Sequence, residues 1–354
     1  MLKKCITLVL ALMMVATMLG GCAPEAQTET PSETESATAS EEAAPSSEAS
    51  EEKLTFGVTV CMITGYYTAM VDAIQEKADE MGIEIVLLIA ENDTTKQNQQ
   101  MENLIAQQVD AIICNPEDGT AIAAAVTKAM DAGIPVVMVD RDVEGAEPSK
   151  RIINDSYALA KELVEWFAAS DNAQNLTEPL NTLIMVGSMS DSYAVNCLNA
   201  HREVVEANPD IFNLVAEIPG DWNQDTALKG IQNALSANPD IDLIITPSDM
   251  YLPPIKSALE QIDRWKPIGE EGHVMILSMD GDSYGLQTIK DGYSEADAVV
   301  DAAVCGSWGV EYAYKLVTGE LESDGELVSF PGFLVTHENF EETAPNAYSY
   351  GELQ

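Results

Sequence analysis

The chain is poor in the residues that usually run chemistry. Among 354 residues there are three histidines, His201, His273 and His337. None of them falls in a segment that follows a predicted strand, so the commonest proton-transfer side chain is missing from the expected ligand end of the fold. No G-x-G-x-x-G, G-x-x-x-x-G-K-[ST], H-E-x-x-H or G-x-S-x-G occurs, which removes the familiar nucleotide, zinc-protease and esterase signatures. Positive charge is scarce too. Lys and Arg number 17 against 59 Asp and Glu, a formal charge of −42. Such a field repels phosphate backbones, so nucleic acid is not an expected partner. The six cysteines show no CxxC spacing and suggest no metal site. No apolar run reaches the roughly 20 residues of a membrane span.

The longest apolar run, "CITLVLALMMVATML", follows the positive "MLKK" at the start of the chain. About 15 apolar residues after a short basic segment read as a secretory signal rather than a span. It ends in Leu19, Gly20, Gly21, Cys22. Small residues before a cysteine at this place resemble the lipobox of bacterial lipoproteins, which implies a lipid on Cys22. The alternative is an ordinary signal with a chance cysteine. Residues 23–53 then carry Glu, Ser, Thr, Ala and Pro with no aromatic residue. They have too little to bury to offset their ordering entropy, and read as a disordered tether. Cys61, Cys114, Cys197 and Cys305 are scattered. Cys61 and Cys114 each close a predicted strand and read either as buried thiols or as a bridged pair.

From Leu54 the pattern alternates. "LTFGVTV", "IEIVLLIA", "DAIICN" and "IPVVMVD" are strand-like, with helical periods over Tyr66–Met81, Thr95–Gln108 and Ala121–Ala132 between them. "RIIND" and a helix over Tyr157–Ala169 follow. A second series has "LNTLIMVG", "IFNLVAEI", "IDLIITPSD" and "VMILSMD", with helices starting at Asp191, Gln224 and Tyr251. "ADAVVD", a helix over Ala303–Val317 and the extended "LVSFPGFLV" come last. Strands apolar on both faces, alternating with amphipathic helices, mean parallel sheets covered on both sides. The reading is α/β, two Rossmann-like lobes.

In such sheets ligands bind beyond the carboxyl ends of the strands. The segments there are "ITGYY", "NPEDG", "VDRDV", "GSMSDSY", "PGDWNQD", "TPSDMY" and "MDGDSYG". In this order they resemble the ribose-binding-protein-like sugar receptors of bacterial ABC importers, from Leu54 to about Val335. "INDSYALAKEL" is similar to the first crossover between lobes in that family, and "IKDGYSEADAVVDAAVCGSWGVEYAYKLVTGE" to the second with its returning helix. The resemblance implies three hinge crossovers and a ligand closed in the cleft between lobes. It divides the chain into a first lobe of 54–153 plus 303–324, a second of 154–302 plus 325–340, and a tail of 341–354.

The resemblance also implies a pocket. Tyr66 and Tyr67 would pack on one face of a sugar and Trp222 on the other. Asp140, Arg141 and Asp280 would hold its hydroxyls. Thr64, Asn115, Asp191, Asn196, Ser248, Asp249 and Asp301 are secondary candidates. For the two tyrosines, packing at the start of their helix is the competing role. The family's arginine, Asn-Asp and crossover glutamine fall at Val195, Ser248-Asp249 and Val300, so the resemblance implies a monosaccharide or polyol and does not imply ribose. It implies a monomeric binding protein without catalysis or cofactor, anchored outside the membrane and serving an ABC permease. A sensor reporting to a membrane kinase or chemoreceptor is the alternative.

Overall fold

The structure is a computed structural model that describes residues 53–353. The signal, Cys22 and nearly all of the tether lie outside the described residues. The first half contains β1 (Thr55–Val60), α1 (Gly65–Met81), β2 (Glu84–Ile89), α2 (Thr94–Gln107), β3 (Ala111–Asn115), α3 (Ala123–Asp131), β4 (Val136–Val139) and β5 (Lys150–Ile152). Then come α4 (Ser156–Ala169), α5 (Asp171–Gln174), β6 (Leu180–Val186), α6 (Ser192–Ala207), β7 (Phe212–Pro219), α7 (Gln224–Ala237) and β8 (Leu243–Ile245). The chain continues with α8 (Leu252–Glu260), β9 (Met275–Asp280), α9 (Ser283–Lys290), β10 (Ala296–Val300) and α10 (Ala302–Val317). It ends with β11 (Leu327–Val328), β12 (Gly332–Thr336) and α11 (Phe340–Thr343).

Two six-stranded sheets result, in the orders β11-β5-β4-β3-β1-β2 and β12-β10-β9-β8-β6-β7. All pairings in the first are parallel, and in the second only β12 runs antiparallel. The two-lobe α/β expectation therefore holds. Residues of β3 and β4 are buried throughout, as a parallel strand covered on both faces should be. β2 departs from its continuous apolar sequence. It lies at the sheet edge, where only one neighbour covers it, and Leu87 is exposed.

The chain crosses between sheets three times, after β5, after β10 and between β11 and β12. The expected boundary at 324 falls early, because Leu327 and Val328 pair with Arg151 and Ile152 in the first sheet. "LVSFPGFLV" is thus one extended run shared by two sheets, which its sequence alone does not reveal. Asn154 Nδ2 donates to Phe330 O at 2.9 Å, tying the first crossover to the third. α10 returns to the first lobe and packs on α1. The helices approach closely at Gly306, where a Cβ would stand 2.2 Å from Met70 O.

Polar caps begin most helices just after a strand. Thr64 accepts from Tyr67 N, Asp191 from Tyr193 N and Asp282 from Tyr284 N. A side-chain oxygen here satisfies an amide that the helix leaves unpaired. It also places polar groups and helix N-termini at the carboxyl ends of both sheets, facing the space between the lobes.

Candidate functional site

That space is a cavity lined by Met62, Thr64, Tyr66, Tyr67, Asp140, Arg141, Tyr193, Trp222, Ser248, Met250 and Asp280. It contains about 340 Å³ of empty space, part of it open to solvent. Every lining residue sits at or just after the carboxyl end of β1, β4, β6, β7, β8 or β9, where a doubly wound sheet binds ligands.

The wall from the first lobe is built around Asp140 and Arg141. Asp140 follows β4 with φ 66°, an uncommon conformation for a residue with a Cβ. Its backbone N donates to Ile152 O at 2.9 Å, which anchors the turn to β5. Its carboxylate accepts from Tyr67 Oη at 2.8 Å and Asn115 Nδ2 at 3.1 Å. Burial pushes the Asp140 carboxyl up to about 6, against the pull of Arg141 and the Tyr67 hydroxyl. Arg141 is 3% exposed, and its guanidinium donates to Pro116 O. Nε lies 3.0 Å from Asp191 Oδ2 as an ion pair whose N–H points along no hydrogen bond. Asp140 and Glu117 lie farther off, at 3.9 and 4.0 Å. The charge is therefore held across the cleft, since Arg141 follows β4 in the first sheet and Asp191 caps α6 in the second lobe.

The aromatic arrangement differs in one respect from the expected sandwich. The Arg141 guanidinium carbon lies 5.6 Å from the Tyr67 ring centroid and 5.8 Å from that of Trp222. Part of the gap between these rings is filled by the protein's own cation, a favourable contact for both. Tyr67 thus supports Arg141 and Asp140. Tyr66 meets Tyr67 edge-on at 5.2 Å and 85°, and both residues line the cavity.

Trp222 comes from a turn after β7 in which Asp221 and Trp222 both have positive φ. Its ring stacks on Tyr251 at 5.7 Å and 10°, and its Nε1 donates to Asp191 Oδ2 at 2.9 Å. A Cβ on Gly187 would stand 2.3 Å from this ring, so the end of β6 must be glycine for the indole to lie there.

The wall from the second lobe is acidic. Asp280 accepts from Ser248 Oγ at 2.5 Å and from Tyr193 Oη at 3.3 Å. Behind it, Asp249 accepts from Ser278 Oγ and from Asp282 N at 2.9 Å. Asp297 accepts from Gly281 N at 3.1 Å, and its other oxygen is buried without a partner. Burial pushes the Asp297 carboxyl up to about 7 and raises Asp249 and Asp280 well above the usual range, the neighbouring carboxylates adding to the shift for both. Among the described residues no lysine or arginine pairs with Asp249, Asp280 or Asp297.

The six principal candidates, Tyr66, Tyr67, Asp140, Arg141, Trp222 and Asp280, come together on the cavity with Thr64 and Ser248. Asn115 and Asp191 stand behind them as partners of Asp140, Arg141 and Trp222, while Asp249 lies deeper, held by Ser278 Oγ and Asp282 N. Two candidates are not brought there. Asn196 faces an outer crevice and donates to Ser156 Oγ at 3.3 Å. Asp301 caps α10 at the second crossover by accepting from Val304 N at 3.0 Å. Tyr193, Met62 and Met250 line the cavity although sequence reasoning did not single them out. Tyr193 stood in the quoted "GSMSDSY", two residues after Asp191, and was legible there as a ring after a strand. Cys61 and Cys114 are free buried thiols and form no bridge.

Comparison with known proteins agrees with this fold. The periplasmic binding protein domain is matched over residues 56–321, and the chain belongs to that family. Within it the chain is of the ribose-binding-like type I class. The ribose import binding protein RbsB of Bacillus subtilis (strain 168) is 23% identical over 275 residues, 77% of this chain and 85% of that protein. A xylitol-binding protein of Mycolicibacterium smegmatis is 27% identical over 273 residues, covering 77% of this chain and 74% of that one. A solved ABC transporter solute binding protein from Bacillus halodurans C-125 with bound myo-inositol superposes with TM-score 0.74 at 25% identity. That match covers 83% of this chain and 98% of the other. The family binds solutes for transport and performs no chemistry on them.

Proposed function

We propose that this chain is the extracytoplasmic receptor of an ABC importer and that it captures one monosaccharide or polyol in the inter-lobe cavity. One observation carries the reading. Aromatic rings, two carboxylates and one guanidinium from both lobes converge on a single small cavity. Rings suit the apolar C–H faces of a sugar, while Asp140 and Asp280 accept from hydroxyls at its edge. Arg141 donates to an oxygen. The relatives named for ribose, xylitol and myo-inositol support a polyhydroxylated ligand.

Binding works by differential contact. A ligand touching Asp140 and Arg141 on one lobe and Trp222 and Asp280 on the other favours the closed pair over the open one. The closed shape is what a permease would read. The signal and Cys22 belong to the same proposal. Lipid on Cys22 would hold the monomeric receptor at the membrane, and residues 23–53 would give it roughly 30 Å of reach. Among the described residues no helix is long and apolar enough to cross a membrane.

A thermal-shift panel of pentoses, hexoses and polyols tests the reading. A ligand at 100 times its Kd adds about 2.7 kcal/mol of stability. Stabilisation by at least one member is expected. Stabilisation by amino acids or peptides and by no sugar or polyol overturns it.

A further inference from the structure

Residues 341–354 were expected as a tail after the second lobe. Instead Phe340, Ala344 and Ala347 share a buried apolar cluster with Leu286, Ile289 and Val299 of the second lobe. The chain then turns back to the rim of the cleft. Ser349, 2% exposed, donates its Oγ to Gly281 O at 2.6 Å. Gly281 directly follows Asp280, and the two have φ of 73° and 113°. For Asp280 that conformation is strained and needs an outside hold. The preceding residue faces the other lobe. The Tyr348 ring meets Tyr66 edge-on, with centroids 6.3 Å apart and planes at 87°. Consecutive residues of the C-terminal segment therefore touch one cavity element from each lobe.

The lobes are also close together at this rim. A Cβ on Gly65 would stand 2.8 Å from Asp282 Oδ2. The opposite rim is held differently, by the Arg141–Asp191 ion pair and by Ser192 Oγ accepting from Asp142 N at 3.0 Å. The Tyr348 hydroxyl is buried with no hydrogen-bond partner, so the contact with Tyr66 is made by the ring.

We propose that Tyr348 and Ser349 are positioning residues, and that the C-terminal segment braces the cleft by fixing the Asp280–Gly281 turn against the Tyr66 ring. Neither residue lines the cavity, so each acts through the residue it touches. The role in binding rests on the ligand reading above; the mechanical brace does not. In a closed receptor the brace opposes reopening, and its loss raises the rate of ligand release more than it slows capture.

Hydrogen–deuterium exchange on the full chain separates the two. Tyr348→Ala is expected to raise exchange about tenfold in residues 62–70 and in 279–285, and to leave β3 unchanged. Tyr348→Phe keeps the ring and should match the wild type. Ser349→Ala, the milder variant, should raise exchange in 279–285 alone. Unchanged exchange at 62–70 in Tyr348→Ala overturns the proposal, and so does a Phe variant as loose as the Ala variant. Titration with D-ribose, xylitol and myo-inositol supplies the second readout. About tenfold weaker binding of the probe by Tyr348→Ala, carried by dissociation and restored in Tyr348→Phe, supports the positioning role. Equal affinity in the Ala variant overturns it. If none of the three binds while the exchange pattern appears, the brace stands and the ligand reading is what fails.

Discussion

The two walls of the cavity solve the same problem in opposite ways. In the first lobe a buried carboxylate, Asp140, meets a buried cation, Arg141, together with the donors of Tyr67 and Asn115. In the second lobe Asp280, Asp249 and Asp297 are packed with hydroxyl and amide donors but without a cation. Carboxylates removed from water must find positive charge, take up protons or receive many hydrogen bonds. The first wall adds a cation to its hydrogen bonds, while the second relies on hydroxyl and amide donors and on burial that favours the protonated carboxyls. Both walls therefore change protonation toward neutral pH, since burial raises Asp140 to about 6 on the first and Asp297 to about 7 on the second, but only the first holds a cation against its carboxylates.

Substitutions that break this contrast should differ in size. Arg141→Ala should be the most damaging, because it leaves Asp140 and Asp191 buried without a cation. A loss of about 3–5 kcal/mol in denaturant unfolding is expected. Replacing Arg141 and Asp191 together by Met and Leu should recover part of it. Asp280→Asn attacks the other wall and should cost little stability at neutral pH, since burial already disfavours the charged carboxylate there and no cation pairs with it. Its effect should appear in calorimetric ligand affinity, as a loss of about 1.5–3 kcal/mol.

A smaller effect sharpens the contrast through pH. The Asp297 carboxyl is held at about 7 in the fold against 3.8 for the ordinary group. The folded state thus binds a proton that the unfolded chain releases. That contribution to stability is complete below pH 4 and is lost as pH rises through 7. Asp297→Asn should flatten the fall in unfolding free energy between pH 4 and 7 by about 1 kcal/mol or more. An unchanged slope would place the proton elsewhere among Asp249, Asp280 and Asp282. The smallest expected effect is none. Cys61 and Cys114 are free, so a reducing agent should leave the unfolding midpoint where it was.

The walls also differ in how far the sequence announces them. Tyr66, Tyr67, Asp140 and Arg141 stand at the ends of strong apolar runs, where a bulky or charged residue has no place in a core and must face a cleft. Asp280 and Trp222 were legible for the same reason. Asp297 was not, because it lies inside the apolar "ADAVVD" and its neighbours Asp249 and Gly281 are remote in sequence. Asp301 and Asn196 carry the right chemistry, yet helix capping and a contact with Ser156 direct them elsewhere. The place of Arg141 between Tyr67 and Trp222 depends on Asp191 reaching across from the other lobe, which no local pattern encodes. The brace at Tyr348 was hidden too, since its few apolar residues give no period.

Tryptophan emission during ligand titration tests the central claim most directly. Trp222 lines the cavity, and Trp166, Trp265 and Trp308 do not. A sugar or polyol that stabilises the protein should change the emission of the wild type saturably. Trp222→Phe, which keeps a ring against the ligand, should still bind by calorimetry while losing that change. A Trp222→Phe variant that binds and keeps the full emission change would place the ligand away from the cavity and contradict the account.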